Sequence, residues 1–138
     1  MEDKDEMDKM QAMVMAFHEK FDRPVGTTPE LSNRDFRIGL IRDEIHELEL
    51  ATLKGDLVES VDALADILYV TLGTAVEWGV DMQEIFEIVH GANMRKIGGE
   101  VRGDGKVLKP DGWIGPEADI ANELIEQGAA VAIKHIAP

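Results

Sequence analysis

Two short stretches carry acidic side chains where acids are hardest to accommodate. Residues 61–76, VDALADILYVTLGTAV, hold fourteen uncharged residues and two charges, Asp62 and Asp66. On a helix these aspartates stack one turn apart, where like charges repel, and a carboxylate buried without a partner is disfavoured by several kcal/mol. Just upstream, residues 43–47 read DEIHE, which puts Glu44 and Glu47 one turn apart on a helix of their own. Four carboxylates facing one another across two packed helices cannot all stay ionised in a dry interior, so either protons bind or hard cations sit among them. Mg²⁺ suits an all-oxygen donor set, with Mn²⁺ as a substitute, and Mg²⁺ keeps waters that phosphate oxygens can replace. The plain alternative for Glu44 and Glu47 is the solvated side of an amphipathic helix. The run around Asp62 and Asp66 is too apolar to favour that account.

Composition narrows the chemistry further. The chain has 138 residues, no cysteine, and a formal charge of −14 from 28 acids and 14 bases. Thiolate metal sites, cysteine nucleophiles and disulfides are excluded, and any metal must be held by carboxylate or imidazole. A chain of this length suits one domain spanning residues 1–138. Its charge repels polyanions, so nucleic acid is not an expected partner, whereas a small phosphate compound remains compatible if cations intervene. The start, MEDKDEMDKM, has no apolar signal core, and no 18-residue apolar run follows. A cytoplasmic location and no membrane partner are expected.

Apolar residues recur at helical spacing almost throughout, which predicts an all-α fold: a four- to five-helix bundle with a basic, Gly- and Pro-containing loop after the fourth helix. The first helix covers about 5–21, with Met10, Met13, Val14 and Phe17 inward. The second, about 33–54, opens on a Ser32/Asp35 capping pattern and ends at Gly55. On its wheel Ile41, Ile45 and Leu48 form the core face, and Leu40, Glu44, Glu47 and Ala51 the adjoining stripe. The third, about 57–78, starts at Asp56/Glu59, stops at Gly79, and is apolar nearly all round, the pattern of a central, covered helix. Its acids Glu59, Asp62 and Asp66 fall on one line, with Tyr69 beside it; Glu59 reads first as part of the cap. A one-turn link makes the second and third helices an antiparallel hairpin, which sets Glu44 and Glu47 opposite Asp62 and Asp66.

The fourth helix, about 82–95, is capped by Asp81 and Glu84, turns Ile85, Phe86 and Val89 inward, and carries Asn93 on the same arc. Then GGEVRGDGKVLKPDGW, residues 98–113, breaks helicity. From Arg95 to Lys109 there are five bases and two acids, the one basic stretch in an acidic chain. A short last helix runs from about Glu117 to Gln127, and the AAVAIKHIAP tail has no clear pattern.

DEIHE followed one turn later by ESVDALADILY, residues 59–69, resembles the all-α nucleoside triphosphate pyrophosphohydrolases, the MazG-like enzymes related to the all-α dUTPases and to phosphoribosyl-ATP pyrophosphohydrolase. Their signature is EExxE, a gap, then ExxD. Similarity to a dUTPase-like MazG branch extends through DILYVTLGTA, VHGANMRK and DGKVLKPDGW, about residues 36–115. Asp43 stands where the signature begins with Glu. With Asp66 as its final Asp, Ala63 stands where a Glu belongs, and Asp62 or Glu59 is left to replace it.

The resemblance implies Mg²⁺-dependent hydrolysis of a (deoxy)nucleoside triphosphate, dUTP among the candidates, to the monophosphate and pyrophosphate, as nucleotide-pool house-cleaning. It implies Glu44, Glu47, Asp66 and Asp62 as metal ligands, and Glu47 or Asp43 as acceptor of the water's proton. Lys96 and a flap bearing Arg102, Lys106 and Lys109 would meet the phosphates. Asn93 and Tyr69 would meet sugar or base, and Trp113 would close a pocket or anchor its loop. A homodimer or homotetramer is expected because the third helix has more apolar surface than one small bundle covers. Two other readings are open: a catalytically inactive nucleotide or metal sensor that has lost the Glu, and a di-iron carboxylate bundle built on Asp43/His46 and Glu87/His90.

Overall fold

The computed structural model describes residues 6–130. The described residues form five helices: α1 (Glu6–Lys20), α2 (Arg34–Leu53), α3 (Leu57–Glu77), α4 (Met82–Met94) and α5 (Glu117–Glu126). No strand occurs among the described residues, and a single antiparallel bridge joins Val101 to Val107. The fold is therefore all-α, with helix boundaries close to those expected from periodicity. No single helix among the described residues is long and apolar enough to cross a membrane. The tail from residue 131 onward lies outside the described residues. The chain divides into two compact units, the first ending at Met82 and the second beginning at Gln83.

In the first unit α3 is the central element, with α2 packed along one side and α1 along another. Lys54, Gly55 and Asp56 alone separate α2 from α3, which forces an antiparallel hairpin. Gly55 takes φ +70°, a left-handed conformation that closes α2 without the penalty a β-carbon would bring. The Asp56 carboxylate then accepts the Glu59 backbone N–H at 3.0 Å, a side-chain cap that starts α3 as its spacing predicts. The start of α2 differs. Its cap is Asn33 in a left-handed conformation with no side-chain hydrogen bond, and Asp35 pairs instead with its neighbour Arg34 at 2.8 Å.

The centre of this unit is small: Val14, Leu72 and Val76, with Met15 and Met82 packed against them. The inward face of α1 is not the one its most apolar residues mark. Met13 is 67% exposed, Met10 and Phe17 are about as exposed as they are covered, and the buried positions are Gln11, Val14 and His18. The two polar ones are tolerated because the loops supply partners. The Gln11 amide donates to the Val80 carbonyl and accepts the Met82 N–H, while His18 Nδ1 lies 2.8 Å from the Pro24 carbonyl. On α2 the buried residues are Arg37 and Ala51, with Ile45 turned outward. Ile41 and Leu48 are half-buried as expected, like Glu44, so the covered side of α2 runs along Arg37, Ile41, Glu44, Leu48 and Ala51, and of the expected core face only Ile45 departs. Nor is α3 covered all round. Its C-terminal half is buried, but Leu57, Val58, Val61, Leu64 and Leu68 are exposed along the N-terminal half.

In the second unit α4 buries Gln83, Ile85 and Ala92, whereas Phe86 and Val89 face outward, against expectation. Residues 98–113 form an irregular loop pinned at the Val101–Val107 bridge, and α5 follows with its start at Glu117 as expected.

Candidate active site

The α2–α3 hairpin brings the four acids into one neighbourhood. Glu44 and Asp66 are half-buried; Asp43, Glu47, Asp62 and Glu59 are exposed. Burial pushes the Glu44 carboxyl above the usual range, and the negative charges of Asp66, Glu47, Asp43 and Asp62, in that order, push it further. Glu44 thus senses acids from both helices at once. Glu59 is absent from that set, and its backbone N–H is bound in the α3 cap. Ala63, where the signature Glu would stand, is buried.

Among the described residues, no three carboxylate or imidazole groups converge closely enough to grip one ion as they stand. The donor set is nevertheless oxygen-only and mutually repelling, which is the chemistry that a hard divalent cation relieves. Glu44, Glu47, Asp62 and Asp66 are the residues that would hold it.

Tyr69 lies one turn beyond Asp66 on α3, partly exposed, its ring edge-on to Phe17 of α1 at 5.7 Å between centroids and an angle of 87°. Phe17 in turn packs on Phe21 at 4.7 Å. One side of the Tyr69 ring is therefore braced, and the remainder is free for other work.

The basic residues belong to the second unit. Trp113 donates its indole N–H to the Ala92 carbonyl at 2.9 Å, fastening the loop to the last turn of α4. Lys96 and Lys109 both lie over that indole, with ammonium-to-centroid distances of 5.1 and 5.3 Å. Two cations distant in sequence are thereby gathered on one ring. Beside Lys109 runs an open groove lined also by Gly98, Gly99, Glu100, Leu108 and Asp111. Asn93 is exposed near the end of α4. Arg102, expected on the flap, has its exposed guanidinium forked onto Asp104 at 2.9 and 2.6 Å across its own turn.

Sequence reasoning missed Arg37. It is buried on α2, paired with buried Glu77 at 3.3 Å, and bonded to Thr74 and to the Val70 carbonyl. The readable signal was the lone glycine, Gly73, in the middle of a strongly helical run, which implies a close approach.

Residues 14–93, from α1 to the end of α4, match the family phosphoribosyl-ATP pyrophosphohydrolase, and the chain belongs to that family. This family is related to the MazG-like nucleoside triphosphate pyrophosphatases, and its members are pyrophosphohydrolases acting on phosphoanhydride bonds of a nucleotide-like substrate. A search of curated proteins gave no match.

Proposed function

We propose that this protein hydrolyses a (deoxy)nucleoside triphosphate between the α and β phosphates, with Mg²⁺ as cofactor, and so clears unwanted nucleotides, dUTP among them. The observation that supports this most directly is the field at Glu44, where four other carboxylates from α2 and α3 act on one half-buried group. Such a concentration of like charge is costly unless a function retains it.

When bound at Glu44, Glu47, Asp62 and Asp66, divalent ions supply neutralisation of the triphosphate and activation of water. The chain's own residues do the rest. A carboxylate oxygen of Glu47, or of Asp43, accepts the proton of the attacking water as its oxygen bonds to the α phosphorus. The bond from that phosphorus to the bridging oxygen breaks, and the electron pair leaves on pyrophosphate. Lys96 and Lys109, held together on Trp113, form a cationic pair of the kind that suits phosphate oxygens, and Asn93 and Tyr69 are side chains of the kind that suits sugar or base. The exposed apolar row on α3 supports assembly as a homodimer or homotetramer.

The test is a panel of dNTPs and NTPs incubated with Mg²⁺ or Mn²⁺ and analysed for products. Release of pyrophosphate and the matching monophosphate is expected; release of inorganic phosphate, or no release from any nucleotide, overturns the proposal. Ala63 in place of the signature Glu favours a second reading, a sensor that binds nucleotide without turnover. In the same panel it would show binding and no product.

A further inference from the structure

One buried ionic group has no role in the hydrolysis as described so far. Arg37 reaches from α2 to α3 and donates from Nη2 to the Val70 carbonyl at 2.9 Å, from Nε to Thr74 Oγ1 at 3.1 Å, and from Nη1 to Glu77 Oε2 at 3.3 Å. These acceptors lie on one face of α3 at spacings of four and three residues, so one side chain grips about two turns. The grip needs Gly73, because a β-carbon there would stand 2.6 Å from Nη2. A slip of α2 along α3 would drive the guanidinium out of this slot and leave the buried Glu77 carboxylate without its partner, which is strongly unfavourable.

The slot fixes what happens further along. Both helices rise about 1.5 Å per residue and run in opposite directions. Seven residues along α2 from Arg37 is Glu44, and seven back along α3 from Gly73 is Asp66. These two therefore share a level about 10 Å from the clamp.

We propose that Arg37 is a positioning residue for the hydrolysis: its grip on Val70, Thr74 and Glu77 sets the axial register of α2 against α3, and thereby the pairing of Glu44 with Asp66, without touching substrate. The inference rests on the reading of these carboxylates as the site of divalent ions and triphosphate.

The test uses the full chain. Because the chain has no cysteine, spin labels can be placed cleanly on cysteines introduced at exposed Arg42 and Val58, one on each helix and offset along the axis. Labelled chain is diluted with unlabelled chain, and the distance is measured in the parent, in Arg37→Met/Glu77→Gln, which removes both charges, and in Gly73→Ala, which keeps both and crowds the slot. The same substitutions without labels are assayed for kcat, KM and Mg²⁺ dependence. The expected result is a distance shifted or broadened by several ångströms, a tenfold or greater rise in the half-saturating Mg²⁺ concentration, and partial rescue in Arg37→Lys.

An unchanged distance overturns the proposal. So does a shifted distance with unaltered kcat and Mg²⁺ dependence. Should the double variant fail to fold, Gly73→Ala decides by the same criteria. Failure of the underlying reading is visible separately, as a parent protein whose turnover needs no divalent ion.

Discussion

Glu44 of α2 and Asp66 of α3 are near enough across the helix hairpin that, of the charges raising the Glu44 carboxyl, that of Asp66 acts most. The pair joins the two acidic stretches of the sequence into one electrostatic unit. Neither helix alone would produce it.

If that unit holds the metal, replacing Asp66 with Asn removes a charged ligand and little volume. Turnover should fall about a hundredfold or more, since a bound ion contributes several kcal/mol of transition-state stabilisation. Helical content by circular dichroism should match the parent. Near-parental turnover would show that Asp66 is not a ligand.

The raised Glu44 pKa makes the metal-free protein pH-sensitive in a defined direction. Ionisation of Glu44 is harder in the folded state than in the unfolded state. Its cost is therefore absent below the unfolded value of 4.5, grows as pH rises through the raised folded value, and is complete above it. Metal-free Glu44→Gln should accordingly melt higher than the parent at pH 7, with the difference vanishing at pH 4. Solvent screening of a half-exposed group keeps the gain below about 1 kcal/mol. Added Mg²⁺ should reverse the order by stabilising the parent alone.

Burial pulls the Arg37 pKa down, and the Glu77 carboxylate beside it partly restores it. Breaking this pair from one side, with Arg37→Met, strands a carboxylate whose side chain is 3% exposed and should destabilise the protein by about 3 kcal/mol or more. The double change with Glu77→Gln should recover most of that loss. Chemical denaturation of the three variants and the parent, read as a double-mutant cycle, measures the coupling.

Lys96 and Lys109 share Trp113, so they should act together on nucleotide affinity. Replacing either with Ala should raise KM more than it lowers kcat, in a way that added salt diminishes. Trp113→Phe keeps a ring but loses the bond to the Ala92 carbonyl, worth about 1 kcal/mol, and should speed tryptic cleavage within residues 98–113.

Leu64 and Leu68, about half exposed on α3, lie on the face proposed to meet a second copy. Light scattering should find a dimer or tetramer for the parent and a smaller species for Leu64→Glu/Leu68→Glu. A monomeric parent would end that proposal.

Much of the scaffold was legible because its signals are local. Gly55 with Asp56 marked the hairpin turn, the Asp56–Glu59 spacing marked the start of α3, and two acids in an apolar run marked the face that Glu44 meets. What escaped depended on partners far away in sequence. Arg37 is buried only because α3 folds against it, and Gln11 and His18 are buried only because Val80, Met82 and Pro24 supply their bonds. The inward face of α1 was misjudged for the same reason, since hydropathy ranks Met13 above His18 while the loops reverse that order.

Because only Lys54, Gly55 and Asp56 separate the two acid-bearing helices, their association closes a very short loop and loses little chain entropy. Such nearby pairings are among the fastest steps available to a folding chain. The nascent protein therefore confronts its severest charge repulsion at the beginning of folding, before more distant segments have docked. Ionic strength and divalent cations should consequently govern how fast it folds.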